Sequence, residues 1–174
     1  MLEAALMNEI RGEAVASFDQ VLRRREAQVL RTAFRILGNW ADAEDVAQEA
    51  FLRLHRRGLV FANDAAAGGW LYRVTVNLCL DRARSRRPSQ ELLDMPSRER
   101  SAEAAVLIEE KKQRLMSALA TLPPKERAAV VLREIEGLST AEVAAALGSS
   151  EVTVRSQISK ALVRLREILN RKDV

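Results

Sequence analysis

Two clusters of side chains in this chain have the types and spacing for contact with nucleic acid, and a third suits contact with a basic protein surface. Between Glu151 and Lys172 stand Arg155, Lys160, Arg164, Arg166, Arg171 and Lys172 against only Glu151 and Glu167. Thr153, Ser156, Gln157 and Ser159 are interleaved with them. Cations hold phosphates, and Arg, Lys, Gln and Ser also reach base edges. Between Trp70 and Pro88 stand Arg73, Arg82, Arg84, Arg86 and Arg87 against Asp81. Arg73, Asn77 and Arg84 share a face at helical spacing, beside Trp70 and Tyr72, an arrangement that could grip a backbone and receive a displaced base. The third cluster is acidic: Asp42, Glu44, Asp45 and Glu49 fall within eight residues, with Gln48 among them. Capping and compensation of the helix dipole account for Asp42 and Glu44. They account poorly for Asp45 and not at all for Glu49, two turns in. The spacing places Asp42, Asp45 and Glu49 together on an exposed face.

The elements that must position these residues are helices almost throughout. Apolar residues recur at helical spacing from Phe18 to Leu37, and Gly38-Asn39 stops that run. A second helix is predicted from about 41 to 57, with Ala47, Ala50, Phe51 and Leu54 as its apolar face. Residues 58–69 read as a loop, because Asn63-Asp64 and Gly68-Gly69 are breakers. A third helix follows from about 70 to 86, with Leu71, Val74 and Leu78 apolar and Trp70 most simply a core residue. Residues 88–105 hold Pro88, Pro96 and several serines without apolar periodicity, and read as a net acidic linker. Helices are then expected over 106–122 and 125–136, the latter with Pro124 at its start. Ser139-Thr140-Ala141-Glu142 is a capping box. It opens a short helix to Leu147, followed by the turn Gly148-Ser149-Ser150 and a long helix from about 151 to 170. Two helices joined by such a turn fit a helix-turn-helix. Val154, Ile158, Ala161, Leu162, Leu165 and Leu169 should pack on Val143, Ala144 and Leu147.

Composition narrows the function. Of 174 residues, 48% are hydrophobic, 30% charged and 4% aromatic, which suits a helical globular chain. The net charge of +4 points mildly toward a nucleic-acid partner. His55 and Cys79 are the single histidine and cysteine, so no intramolecular disulfide or zinc pattern arises. There is no nucleophile–base pairing, metal-ligand spacing or phosphate-cradling glycine loop. The expectation is a binding module: not an enzyme, with no catalytic residue, metal, cofactor or small-molecule substrate. The first twenty residues lack the pattern of a signal peptide and no apolar run spans a membrane, so a cytoplasmic location is expected.

Three motifs together resemble the sigma-70 superfamily of RNA polymerase sigma factors, in its ECF (extracytoplasmic-function) group. Asp42-Ala-Glu-Asp-Val-Ala-Gln-Glu-Ala-Phe-Leu-Arg-Leu-His55 resembles the family's polymerase-binding helix. Trp70-Leu-Tyr-Arg-Val-Thr-Val-Asn77, followed by Asp81-Arg82-Ala-Arg84, resembles its promoter-melting helix. Leu122-Pro-Pro-Lys-Glu-Arg127 and the stretch from Gly137 to Arg166 resemble its second DNA-binding domain. The resemblance covers about residues 14–170. It implies a transcription initiation factor whose Asp45, Gln48 and Glu49 contact the coiled coil of the clamp on the largest subunit of core RNA polymerase. It implies that Asn77, flanked by Arg73 and Arg84, reads an unstacked base of the downstream promoter element with the segment from Phe61 to Ala67. It implies that Arg155, Ser156, Ser159 and Lys160 face the upstream promoter element. An anti-sigma factor is a further partner the resemblance admits. Gln157 and Ser159 depart from the larger basic or aromatic residues frequent in relatives.

The expected fold is all-α, two small helical bundles joined by a flexible linker, the second containing the helix-turn-helix. The boundaries are 10–87 for a sigma region 2-like domain, 88–105 for the linker and 106–172 for a sigma region 4-like domain. The two bundles are expected to keep separate cores. An activator that uses only the helix-turn-helix would leave the acidic helix without a role. A decoy that binds only an anti-sigma factor would have no use for the basic faces.

Overall fold

In the computed structural model the described residues are 17–58, 61–85 and 103–170. They form α1 (Phe18–Leu37), α2 (Trp40–Arg57), α3 (Asp64–Ser85), α4 (Glu103–Ala120), α5 (Pro124–Val130), α6 (Thr140–Leu147) and α7 (Glu151–Asn170), with a π-helical turn, Val131–Ile135, continuing α5. There is no strand among these residues, as the 3.6-residue periodicity predicts. Residues 88–102 of the expected linker lie outside the described residues, and Glu103 already belongs to α4.

Local chemistry sets the ends. Ser17 and Gln20 form a capping box on α1, and Asn39 Oδ1 accepts from the Asp42 amide at 2.9 Å to cap α2. The predicted box on α6 is present, with Glu142 Oε2 2.7 Å from the Ser139 amide and Ser139 Oγ 3.2 Å from the Glu142 amide. Gly148 closes α6 at φ 58°, a left-handed value that a Cβ would oppose.

Residues 58–69 are not a loop throughout. Asn63 Oδ1 accepts from the Ala66 amide at 2.9 Å and starts α3 six residues before Trp70. Gly68 and Gly69 lie inside that helix. A Cβ on Gly68 would meet the Arg25 guanidinium at 3.1 Å, so the missing side chain admits Arg25, which pairs with Asp64. Gly68 marks a close approach rather than a break, whereas a Cβ on Gly69 would meet nothing within 4 Å.

Helices α1–α3 enclose one buried cluster around Val21, Val29, Ala50, Phe51, Leu54 and Leu71. The expectation of separate cores is not met. A second cluster runs from Phe34, Val46 and Val76 to Leu119, Val143 and Leu165, crossing from one bundle to the other. The cause is that α3 is apolar on two sides: Leu71 faces its own bundle, while Tyr72, Val76 and Leu80 meet the second. On α7, Val154, Ala161 and Leu165 are buried as predicted, whereas Leu162 is 41% exposed and lies outside the apolar seam.

Polar contacts fasten this junction. The carboxylate of Glu136, at the end of the π turn, is 6% exposed. It accepts from Thr32 Oγ1 at 2.9 Å, Arg35 Nη1 at 2.6 Å and the Tyr72 hydroxyl at 3.1 Å. Arg127 is buried and donates from Nη1 to the Ile36 carbonyl at 2.7 Å. That carbonyl lies in the last turn of α1, where no intrahelical donor is available, so the second bundle caps a helix of the first. Burial pushes the Arg127 guanidinium down to about 10.

Candidate functional site

The acidic residues on α2 do not form a bare anionic face. Asp42 is 5% exposed, which corrects the expectation that it shares an exposed face with Asp45 and Glu49. Its Oδ1 accepts from Arg82 Nε at 2.8 Å. Arg82 Nη2 also reaches Asp45 Oδ2 at 2.7 Å. Asp45 nonetheless remains solvent-facing, Gln48 is exposed, and Glu49 is half-buried and pairs with Arg53 one turn on at 2.8 Å. Exposed ion pairs of this kind are worth about 0–1 kcal/mol. Exchanging Arg82 or Arg53 for a cation on a partner is therefore inexpensive. Gln48 also lines an open groove of about 450 Å³ floored by Leu22, Leu30 and Phe51 and rimmed by Glu26 and Glu44. Apolar floor and acidic rim together suit an amphipathic basic partner.

On α3, Arg73, Asn77 and Arg84 are exposed on one side of the helix, as their spacing predicts. Arg84 pairs with Asp81 at 3.2 Å, both in solvent. The neighbouring aromatics divide. Trp70 is half-buried and tilts against Phe61 at 6.0 Å, whereas Tyr72 is buried at the junction. Burial, then the charge and hydrogen bond of Glu136, push the Tyr72 phenol well above its usual range. Tyr72 is not placed to receive a base in this arrangement. The segment from Phe61 to Ala67 contains the first turn of α3 rather than a free loop.

On α7, Arg155, Ser156, Ser159 and Lys160 are all exposed, and Gln157 is half-buried. Ser150 Oγ accepts from the Thr153 amide at 3.1 Å and caps the helix. The Arg155 guanidinium reaches Glu151 at only 3.4 Å. Arg164 is engaged elsewhere, 2.6 Å from Glu126 on α5, so it serves the packing of the helix-turn-helix. The structure thus brings Arg155, Ser156, Ser159 and Lys160 onto one helix surface and keeps them apart from the α2 and α3 groups.

Residues 21–88 match the family model Sigma-70 region 2, and residues 112–165 match Sigma-70, region 4. The ECF RNA polymerase sigma factor SigM of Mycobacterium tuberculosis is 38% identical over 158 residues, covering 88% of this chain and 77% of that protein. The chain belongs to the ECF group of the sigma-70 family. The ECF sigma factor SigE of Mycolicibacterium smegmatis is 40% identical over 162 residues, 90% of this chain, which spans 63% of that relative's length. Among solved structures, CnrH, in complex with the cytosolic domain of CnrY, superposes with a TM-score of 0.64 at 25% identity, covering 97% of each chain. The sigma factor RpoE of Bartonella quintana, in complex with the anti-sigma factor NepR, shares the fold with a TM-score of 0.70 at 21% identity, covering 89% of this chain and 98% of that one. In sigma-70 terms region 2 takes in nearly all of α1 to α3, and region 4 runs from the middle of α4 into α7.

Sequence reasoning missed Arg82 as the clamp on Asp42 and Asp45, and Glu136 as the anchor of the junction. For Glu136 a signal existed: the helix register aligns it with buried Leu132, an apolar position holding a charge.

Proposed function

We propose that this ECF sigma factor binds core RNA polymerase and directs it to promoters. In this reading α2 docks on a basic coiled coil of the polymerase through Asp45, Gln48 and Glu49. The helix α7 reads the duplex of the upstream element through Arg155, Ser156, Ser159 and Lys160. Once the downstream element opens, α3 holds it through Asn77, flanked by Arg73 and Arg84, and capturing an unstacked base offsets part of the cost of opening. The observation that carries the reading is the set of four exposed α7 side chains on a capped helix-turn-helix, in a chain that also presents an acidic, solvent-facing α2. Cation and hydroxyl groups on one helix face serve phosphate and base-edge contact. An anti-sigma factor is a further partner under this reading.

Run-off transcription with core polymerase on genomic fragments tests the proposal, with permanganate footprinting to separate its two halves. Lys160→Ala and Arg155→Ala should weaken duplex recruitment, by roughly 1–3 kcal/mol where a bidentate base contact is lost. Asn77→Ala should leave duplex recruitment intact and deplete the open complex. Normal melting with unchanged base preference in Asn77→Ala would reduce the α3 face to solvated surface.

A further inference from the structure

A groove of about 400 Å³ lies across the junction, with one wall from each bundle. The first wall is Phe34 and Trp40, whose rings meet edge to face at 5.1 Å. The second is Leu115, Met116 and Ile135, of which Leu115 and Ile135 are exposed. Three cations, Arg31, Arg35 and Lys112, stand at its rim. Arg35 is held by Glu136 at 2.6 Å, but Arg31 pairs with no carboxylate among the described residues and Lys112 reaches Glu109 at only 3.7 Å. An apolar slot with two available cations selects an apolar segment flanked by acids.

We infer that this groove docks the chain's own segment Glu91-Leu92-Leu93-Asp94-Met95. Within residues 86–102 these are the bulky apolar side chains, and they alternate with two of the three carboxylates there. The tether fits. Arg82, one turn before the end of α3, pairs with Asp42, two residues from Trp40 on the first wall. The helix α4 starts at Glu103 and reaches Lys112 on the second wall after about 14 Å of helix. Both ends of the segment therefore lead toward the groove, and its seventeen residues span up to roughly 56 Å when extended. A peptide tethered this way meets its site at an effective concentration in the ~mM range. Because each bundle supplies one wall, the groove exists only while the bundles are docked, and the segment and the junction stabilise each other.

The test uses the full chain with a photo-crosslinking benzoylphenylalanine at Leu93 and mass-spectrometric mapping. Crosslinks are expected within one chain to Phe34, Trp40, Leu115 or Met116. They should be lost with Arg31→Glu plus Lys112→Glu and return when Glu91→Lys and Asp94→Lys are added. Crosslinks between two chains would assign the groove to a second copy and overturn the inference. Crosslinks scattered elsewhere on the chain would overturn it too. A second measurement avoids the bulky probe. In a Trp70→Phe background Trp40 is the sole tryptophan, and Leu92→Ser with Leu93→Ser should increase its quenching by acrylamide. Unchanged quenching would show Trp40 uncovered from the start, leaving the groove to a separate partner and removing the linker as its occupant.

Discussion

Charged and polar side chains in this chain divide into those that face solvent and those that hold the fold, and neighbours in one motif fall on opposite sides of that division. Asp42 and Asp45 share a single guanidinium, yet Asp42 is buried while Asp45 is open to solvent. Reversing charge at Asp45 and Glu49 should abolish capture of core polymerase in a pull-down while thermal stability barely changes, since each removes an exposed pair worth about 0–1 kcal/mol. Retained capture would reduce these carboxylates to partners of Arg82 and Arg53. Asp42→Ala should behave in the opposite way: it empties a buried position and takes from Arg82 the acceptor of its Nε, leaving only Asp45, and should cost about 1–3 kcal/mol. Urea unfolding reads that directly. Cys79 gives a pH prediction. Burial, the largest cause, pushes its thiol up to about 12 from an ordinary value near 9. A raised acid pKa means that the unfolded chain releases a proton which the folded chain keeps. Stability is therefore full below about pH 9 and falls above it by roughly 1.4 kcal/mol per pH unit from this group. Cys79→Ala should flatten that alkaline slope in unfolding curves measured from about pH 8 to pH 10.

Helix existence and most helix ends were legible in the residues, because caps and periodicity are local signals. Ser139 with Glu142, Gly148 and the apolar positions Val154, Ala161 and Leu165 stand where the pattern places them. Errors arose where a distant side chain changed the meaning of a local one. Gly68 looks like a breaker until Arg25, from another helix, fills the space that a Cβ would take. Leu162 completes an apolar stripe on paper, yet the helices packed on α7 do not cover it. The acidic and basic faces were legible as compositions. The Arg82 clamp was not, because ion pairing between α2 and α3 depends on how the helices cross. Capping carries its own prediction. Ser139→Ala removes the bond that Ser139 Oγ accepts from the Glu142 amide, one of the two in the capping box of an eight-residue helix, and should cost about 1 kcal/mol. Amide exchange should then rise first in α6, and recruitment to upstream-element duplex should weaken although no groove-facing residue has changed.

For the molecule as a whole the decisive feature is the junction, where Glu136 collects donors from Gln28, Thr32, Arg35 and Tyr72 and Arg127 caps α1. The partners were not legible beforehand, since they lie from 64 to 108 positions apart and follow no period; only the charge of Glu136 at an apolar register position hinted that it had one. Glu136→Ala removes the acceptor of Arg35 and Tyr72 at the junction, while Thr32 falls back on the Gln28 carbonyl of its own helix. Small-angle scattering should report a larger radius of gyration for that variant while circular dichroism reports unchanged helix content. An unchanged radius would mean that apolar packing alone holds the bundles together. The same junction bears on synthesis. The first bundle leaves the ribosome well before its counterpart, and the roughly eighty residues from Ser85 to Leu165 take about 4–16 s to translate. Throughout that interval Tyr72, Val76 and Leu80 are without their eventual cover, and the Ile36 carbonyl awaits Arg127. The nascent chain is thus a different molecule from the finished one: an emerging three-helix domain with an open apolar flank, available to holdase chaperones until its second half arrives.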